Sequence, residues 1–196
     1  MVTSVFTGWV QLLTADPKIT PSTGSRTAAP AAQLVSEAEG LLQAGIKQGE
    51  KKDFSGAKRS FRQVLHLNPA NKFAWYNLGV IAQHDNRTAD ARAAYDKALK
   101  IDPNFESALY NKAILIESSD IDQAIVLLRR IVGANPKAAT AYLHLGQALG
   151  KAGRDGEAED AFGLAVRADP SLQQLVPEQF RDSASAAPTA TAGTKR

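Results

Sequence analysis

The chain has 196 residues, of which 44% are hydrophobic and 22% charged, a composition that suits one folded domain with tails. Its net charge of +3 is too small to point to nucleic acid as a partner. There is no cysteine, which removes disulfides and thiolate sites and leaves the compartment open.

The first apolar run, from Val5 to Leu13, includes Phe6 and Trp9. It is far shorter than the roughly 20 apolar residues that a membrane helix needs, and it lacks the basic start and cleavage site of a secretory signal. It reads as a loosely ordered tail or as a short amphipathic docking segment. Residues 14–33 are rich in Thr, Ser, Pro, Ala and Gly and read as a linker. Residues 1–33 are therefore expected to form a flexible N-terminal segment. A cytoplasmic protein is the expectation. A membrane tether would have to come through this segment or through one lying upstream of Met1.

From residue 34 onward the chain repeats itself. Pro69, Pro103, Pro136 and Pro170 stand 34, 33 and 34 residues apart, each preceded by Asn or Asp: Asn68, Asp102, Asn135 and Asp169. Other columns keep the same period. Small residues recur at Gly45, Gly79, Ala113 and Gly146, and alanines at Ala57, Ala91, Ala124 and Ala158. Phe61, Tyr95, Leu128 and Phe162 follow, and then Val64, Ala98, Ile131 and Ala165. A fixed period in this range signals stacked supersecondary units, each burying its apolar face against its neighbours. Repeat three is one residue short. The gap between its small residue and its alanine is 11 residues against 12 elsewhere, which places the deletion in the inner turn near Glu117–Asp120.

Within each repeat the apolar positions follow helical spacing, as at Trp75, Leu78 and Ala82, then Ala91, Tyr95, Ala98 and Leu99. First helices are expected near 34–49, 71–84, 105–117 and 138–151, and second helices near 54–67, 88–101, 121–133 and 155–168. Proline disfavours the α region in the residue before it, so each Asn-Pro or Asp-Pro step ends a second helix. Asn86 and Gly153 suit left-handed turn positions, and Asp120 an N-cap. Asn86-Arg87-Thr88 matches a glycosylation sequon and reads as a turn. Lys47, Lys51, Lys52, Lys58, Arg59 and Arg62, offset by Glu50 and Asp53, form either a solvated face or a patch for an acidic partner. Beyond the last repeat, Leu172, Leu175, Val176 and Phe180 are candidates to cover the open end, and Pro177 keeps that cap short. Residues 183–196 read as a disordered tail.

The four units, near 38–71, 72–105, 106–138 and 139–172, resemble the tetratricopeptide repeat family. Trp75, Leu78, Gly79, Ala91, Tyr95, Ala98 and Pro103 match its W-x2-L-G, A-x3-F and P pattern, and Tyr142, Leu145, Gly146, Ala158, Phe162 and Pro170 match it again. Repeat one departs at Leu41 and Ala44, and repeat three at Leu109, Lys112 and Ala113. The resemblance implies an all-α fold, a right-handed α-solenoid of four helical hairpins with a short C-terminal cap and flexible tails, folded over 34–182. The Pro/Thr/Ala-rich segment ahead of it also resembles the stalk of membrane-tethered bacterial repeat proteins.

The resemblance further implies that first helices line a concave groove. The matching positions are Leu42, Gln43 and Ile46; Phe73, Tyr76, Asn77 and Val80; Ser107, Tyr110, Asn111 and Ile114; and Thr140, Leu143, His144 and Gln147. This inventory is almost uncharged. Some family members clamp chaperone carboxylates with Lys, Arg and Asn. Here those positions hold Leu42, Ile46, Asn77, Ser107 and Asn111, so such a clamp is not expected. Gln43, Asn77, Asn111 and His144 occupy one repeat position. In glycosyltransferase-associated members such a ladder holds an extended peptide backbone, whose donors and acceptors a side-chain amide can match. The alternative is a family habit that stays hydrated.

No phosphate loop, HExxH or GxSxG motif is present, and His66, His84 and His144 are scattered. No enzyme, metal or cofactor is expected. The leading expectation is a non-catalytic adaptor binding an extended protein segment. The alternatives are an assembly module docking through its ends or outer face, and an accessory domain of a separately encoded enzyme or regulator. Composition leaves the oligomeric state open.

Overall fold

The structure, a computed structural model, describes residues 28–185. The Val5–Leu13 run, linker residues 14–27 and tail residues 186–196 lie outside the described residues. Among the described residues there is no strand, and no helix is long and apolar enough to cross a membrane. Eight helices form the repeats: α1 Ala28–Glu50, α2 Phe54–Leu67, α3 Lys72–His84, α4 Thr88–Ile101, α5 Glu106–Ile116, α6 Ile121–Ala134, α7 Ala139–Lys151 and α8 Asp155–Ala168. Apart from the start of α1, the boundaries agree with the sequence reading to within one residue. That helix begins at Ala28, inside the stretch expected as linker. Alanine and other good helix formers let it propagate there even though Leu34 and Val35 stay exposed.

The residues fall into two compact units, one ending at Ala108 and the other starting at Leu109. In the N-terminal unit α1 packs on α2, α2 on α3 and α3 on α4. Its core holds Ala57, Phe61, Val64, Ala74, Ile81, Ala91, Tyr95 and Ala98. In the C-terminal unit α6 packs on α7 and α7 on α8, and the buried residues are Leu109, Ala113 and Ile116 of α5 with Ala124, Leu128, Ile131, Leu149 and Phe162. The repeat columns are thus the core itself.

The small-residue column exists because of the ring column sixteen residues on. A Cβ added at Gly45 would lie 2.6 Å from the Phe61 ring, at Gly79 2.6 Å from Tyr95, and at Gly146 2.7 Å from Phe162. The glycines let a large ring come into close contact with the partner helix. Where the column carries the slimmer Leu128, its partner position is Ala113, and both are buried.

Inner turns explain the deletion. Lys52, Asn86 and Gly153 all have positive φ, at 62°, 56° and 70°. Just after each, an N–H reaches back five residues: Asp53 to Gln48 O, Arg87 to Ala82 O and Arg154 to Leu149 O. This is the hydrogen-bond pattern that closes a helix through a left-handed residue. In repeat three the Asp120 N–H reaches only to Ile116 O, four residues back, and the turn has no positive-φ residue. The missing residue is the left-handed one. Lys52 was not expected in that role.

Outer turns share a device that explains why Asn or Asp precedes each proline. Asn68, Asp102, Asn135 and Asp169 are extended, with φ of −138°, −127°, −131° and −146°. Each Oδ1 accepts the N–H two residues on, from Ala70, Asn104, Lys137 or Ser171, at 3.0–3.2 Å. Such a side-chain turn reverses the chain where proline offers no N–H. Asp53, Asn71 and Asp120 cap the helices that follow them by accepting from Gly56, Ala74 and Gln123.

The cap consists of 3-10 turns at Pro170–Leu175 and Glu178–Phe180 and the short α9, Arg181–Ser185. Val176, Phe180 and Ala184 are buried, and the Phe180 ring lies 5.2 Å from that of Phe162. Leu175, expected to help, is the last residue of the first 3-10 turn and is 60% exposed. Ala184 lies past the expected boundary at 182, so the folded part extends through α9.

Candidate functional site

Two stretches of first-helix surface carry the expected groove residues, one in each compact unit. In the N-terminal unit, Gln43 on α1 is exposed, and Phe73 and Val80 on α3 are half-buried. Tyr76 and Asn77 are not exposed as expected: they are 4% and 6% accessible. Leu42 and Ile46 are likewise core residues. The Tyr76 ring is wedged between those of Tyr95 and Phe105, at 6.0 and 5.3 Å. Asn77 donates its Nδ2 to Phe73 O at 2.9 Å, one turn back on the same helix. That bond satisfies a donor internally, which allows a polar side chain to be buried.

The cluster is completed by residues that the repeat pattern did not single out: buried Phe105 and the half-buried Lys72 and Asp102. Phe105 meets Phe73 edge-on at 5.5 Å. Lys72 Nζ lies 5.0 and 5.3 Å from the Phe73 and Phe105 ring centres and pairs with Asp102 at 2.8 Å. A cation held over ring faces in this way is favourable. The signal for it is the Lys-Phe pair at the start of α3, thirty residues before Asp102.

In the C-terminal unit, Tyr110, Asn111 and Ile114 on α5 and His144 and Gln147 on α7 are half-buried, whereas Leu143 is 3% accessible and belongs to the core. Tyr110 and His144 meet edge-on at 5.3 Å. Burial pushes the Tyr110 hydroxyl up to about 12, so it stays a neutral donor. Burial likewise pushes His144 below its ordinary value, with Glu117 raising it and Lys151 lowering it. Those two charges pair at 3.0 Å. The face is therefore neutral and amphipathic, with an ion pair close to the imidazole. Desolvated rings beside amides suit contact with a polypeptide.

Among the described residues no group of His, Asp and Glu could hold a metal ion. Glu157 accepts from Arg154 and pairs with Arg129, and the Arg154 hydrogen bond holds its carboxyl below the usual range. That cluster is exposed and joins α6 to α8.

Helical hairpins of near-constant period with largely uncharged first-helix faces define a repeat scaffold of the kind that serves protein–protein interaction. The chain belongs to the tetratricopeptide repeat family, whose model matches residues 42–104 and 114–172. It is 31% identical over 133 residues to the photosystem I assembly protein Ycf3 of Rippkaea orientalis, covering 60% of this chain and 77% of that protein. It is 36% identical over 64 residues to the peroxisomal targeting signal receptor of Saccharomyces cerevisiae, covering 33% of this chain. The chain spans about a tenth of that receptor's length. The crystal structure of MamA superposes with a TM-score of 0.62 at 26% identity, covering 71% of this chain and 87% of MamA.

Proposed function

We propose that this chain is a non-catalytic adaptor that takes an extended segment of a partner protein along its first-helix faces. The observation that carries the reading is the C-terminal unit's neutral patch of Tyr110, Asn111, Ile114, His144 and Gln147, half-buried around the Tyr110–His144 edge contact. Gln43, Phe73 and Val80 extend the reading to the N-terminal unit. Asn77 has no place in an amide ladder because its side chain is buried on its own helix. Tyr76 and Leu143 shape the faces from beneath. Assembly of a larger complex is a second reading, favoured by the likeness to a photosystem assembly protein over most of that protein's length.

The test is retention of partners from native extract on the immobilised chain, followed by titration calorimetry with the partner segment identified. Asn111→Ala/His144→Ala removes groups that offer up to about three hydrogen bonds at a net ~0.5–1.5 kcal/mol each, so binding should weaken by about 2–4 kcal/mol. Unchanged affinity in that variant, with its helical content intact, would refute the groove reading and leave assembly through other faces.

A further inference from the structure

The second-helix side of the N-terminal unit carries a hollow of its own. It is a cavity of about 670 Å³ between α2 and α4. Its floor is Trp75, Leu78 and Ala82 of α3. Trp75 and Leu78 head the repeat pattern; both are half-buried, Leu78 packing against the core, and each keeps part of its surface in this hollow. The indole is fixed in place, since its Nε1 donates to Pro69 O at 2.9 Å. A rigid, partly wet aromatic surface of this kind is what an inserted side chain can use.

The rim is basic. Lys58 and Arg62 rise from α2, one turn apart and so on one face, and Lys97 rises from α4. Among the described residues none of the three takes part in an ion pair. Arg87, on the same rim, is already paired with Asp85 and Asp90. Arg62 also lines a second, smaller hollow of about 380 Å³, with Leu41 and Leu67 and with Glu37, Gln63 and His66, so this cation stands between the two hollows.

We propose that this face is a second docking groove, for an acidic segment of a partner protein that sets one apolar side chain on Trp75 and Leu78 and lays carboxylates on Lys58, Arg62 and Lys97. The positive rim with its own carboxylate already spent selects acidic segments and disfavours basic ones. Its rim is on α2 and α4, and it shares α3 with the first-helix groove through different side chains, Trp75, Leu78 and Ala82 rather than Phe73 and Val80, so one chain could hold two segments at once.

The experiment pans a displayed library of short random peptides against the full chain and, in parallel, against Lys58→Glu/Arg62→Glu. These side chains lie on the rim, and helical content verifies the variant's fold. Peptides kept by the unmodified chain and lost by the variant should carry an excess of Asp and Glu around a Trp, Phe or Leu. One of them, labelled and followed by anisotropy, should bind at least about tenfold more weakly to the variant, and more weakly as salt rises from about 50 to about 300 mM. Asn111→Ala/His144→Ala should leave this binding unchanged, which separates the groove from the adaptor reading. Three results would overturn the proposal: no peptide distinguishes the two proteins, the distinguishing peptides lack acidic excess, or they bind only once residues 1–27 are deleted. The last would make the chain's own N-terminal segment the occupant.

Discussion

Gly79 gives the most direct test of how the hairpins are packed. An added Cβ there would sit 2.6 and 2.7 Å from two atoms of the Tyr95 ring. That ring is fully buried, and its hydroxyl donates to Gln83 Oε1 at 2.7 Å, so it cannot swing aside without losing that bond. Alanine in a helix interior is intrinsically better than glycine by roughly 1 kcal/mol. Overpacking a filled core costs about 1–3 kcal/mol. Gly79→Ala should therefore destabilise by a net of about 1 kcal/mol, and Gly79→Leu by more. Gly40, within α1, has nothing within 4 Å of such a Cβ, so Gly40→Ala should stabilise by about 0.5–1 kcal/mol. The two alanine variants should shift the midpoint of urea melts, followed by circular dichroism, in opposite directions. Adding Tyr95→Leu should relieve part of the Gly79→Ala loss, as the Ala113 and Leu128 pair suggests, with a coupling of about 1 kcal/mol in a double-mutant cycle. If both alanine variants moved the midpoint the same way, the close approach of α3 to Tyr95 would not be what selects glycine.

Lys52 holds a left-handed conformation that costs a side-chain-bearing residue about 1 kcal/mol, so Lys52→Gly should raise stability by about 0.5–1 kcal/mol, and Gly153→Ala should lower it by a similar amount in the same melts. His144 is held below its ordinary value of 6.5 mainly by burial, so near and below that pH the unfolded chain takes up a proton that the folded chain resists. Its contribution to stability is present above about pH 6.5 and is lost as pH falls toward the folded value, at up to about 1.4 kcal/mol per pH unit. His144→Gln should flatten that part of a stability-against-pH curve, and an unchanged slope would count against the buried imidazole. Phe180→Ala should cost about 3 kcal/mol by uncovering Phe162 at the end of the C-terminal unit, read as a lower thermal midpoint with unchanged helix content in the cold.

The period, the helix boundaries and the core columns were legible in the sequence because they rest on short-range physics. Proline at Pro69 or Pro103 ends a helix whatever surrounds it, and a Gly79–Tyr95 pair lies within a single hairpin. The place of the deletion could be counted, but that it removes the left-handed turn residue took the backbone of the other turns, with Lys52 at φ 62°. Which first-helix side chains face solvent could be counted only in part, since Gln43 is exposed while Tyr76, Asn77 and Leu143 are buried. Repeat position treats Asn77 and Asn111 alike, yet Asn77 is buried while Asn111 is only half-buried. Tyr76 is covered by Phe105, which lies past the end of its own hairpin, between α4 and α5, and Leu143 is likewise core. Trp75 and Leu78, the family's marker residues, are only half-buried, over a hollow rimmed by Lys58 and Arg62. Helical spacing states which residues share a stripe, whereas exposure depends on what the neighbouring helices lay over that stripe. That is a property of packing between segments, and only the tertiary structure decides it.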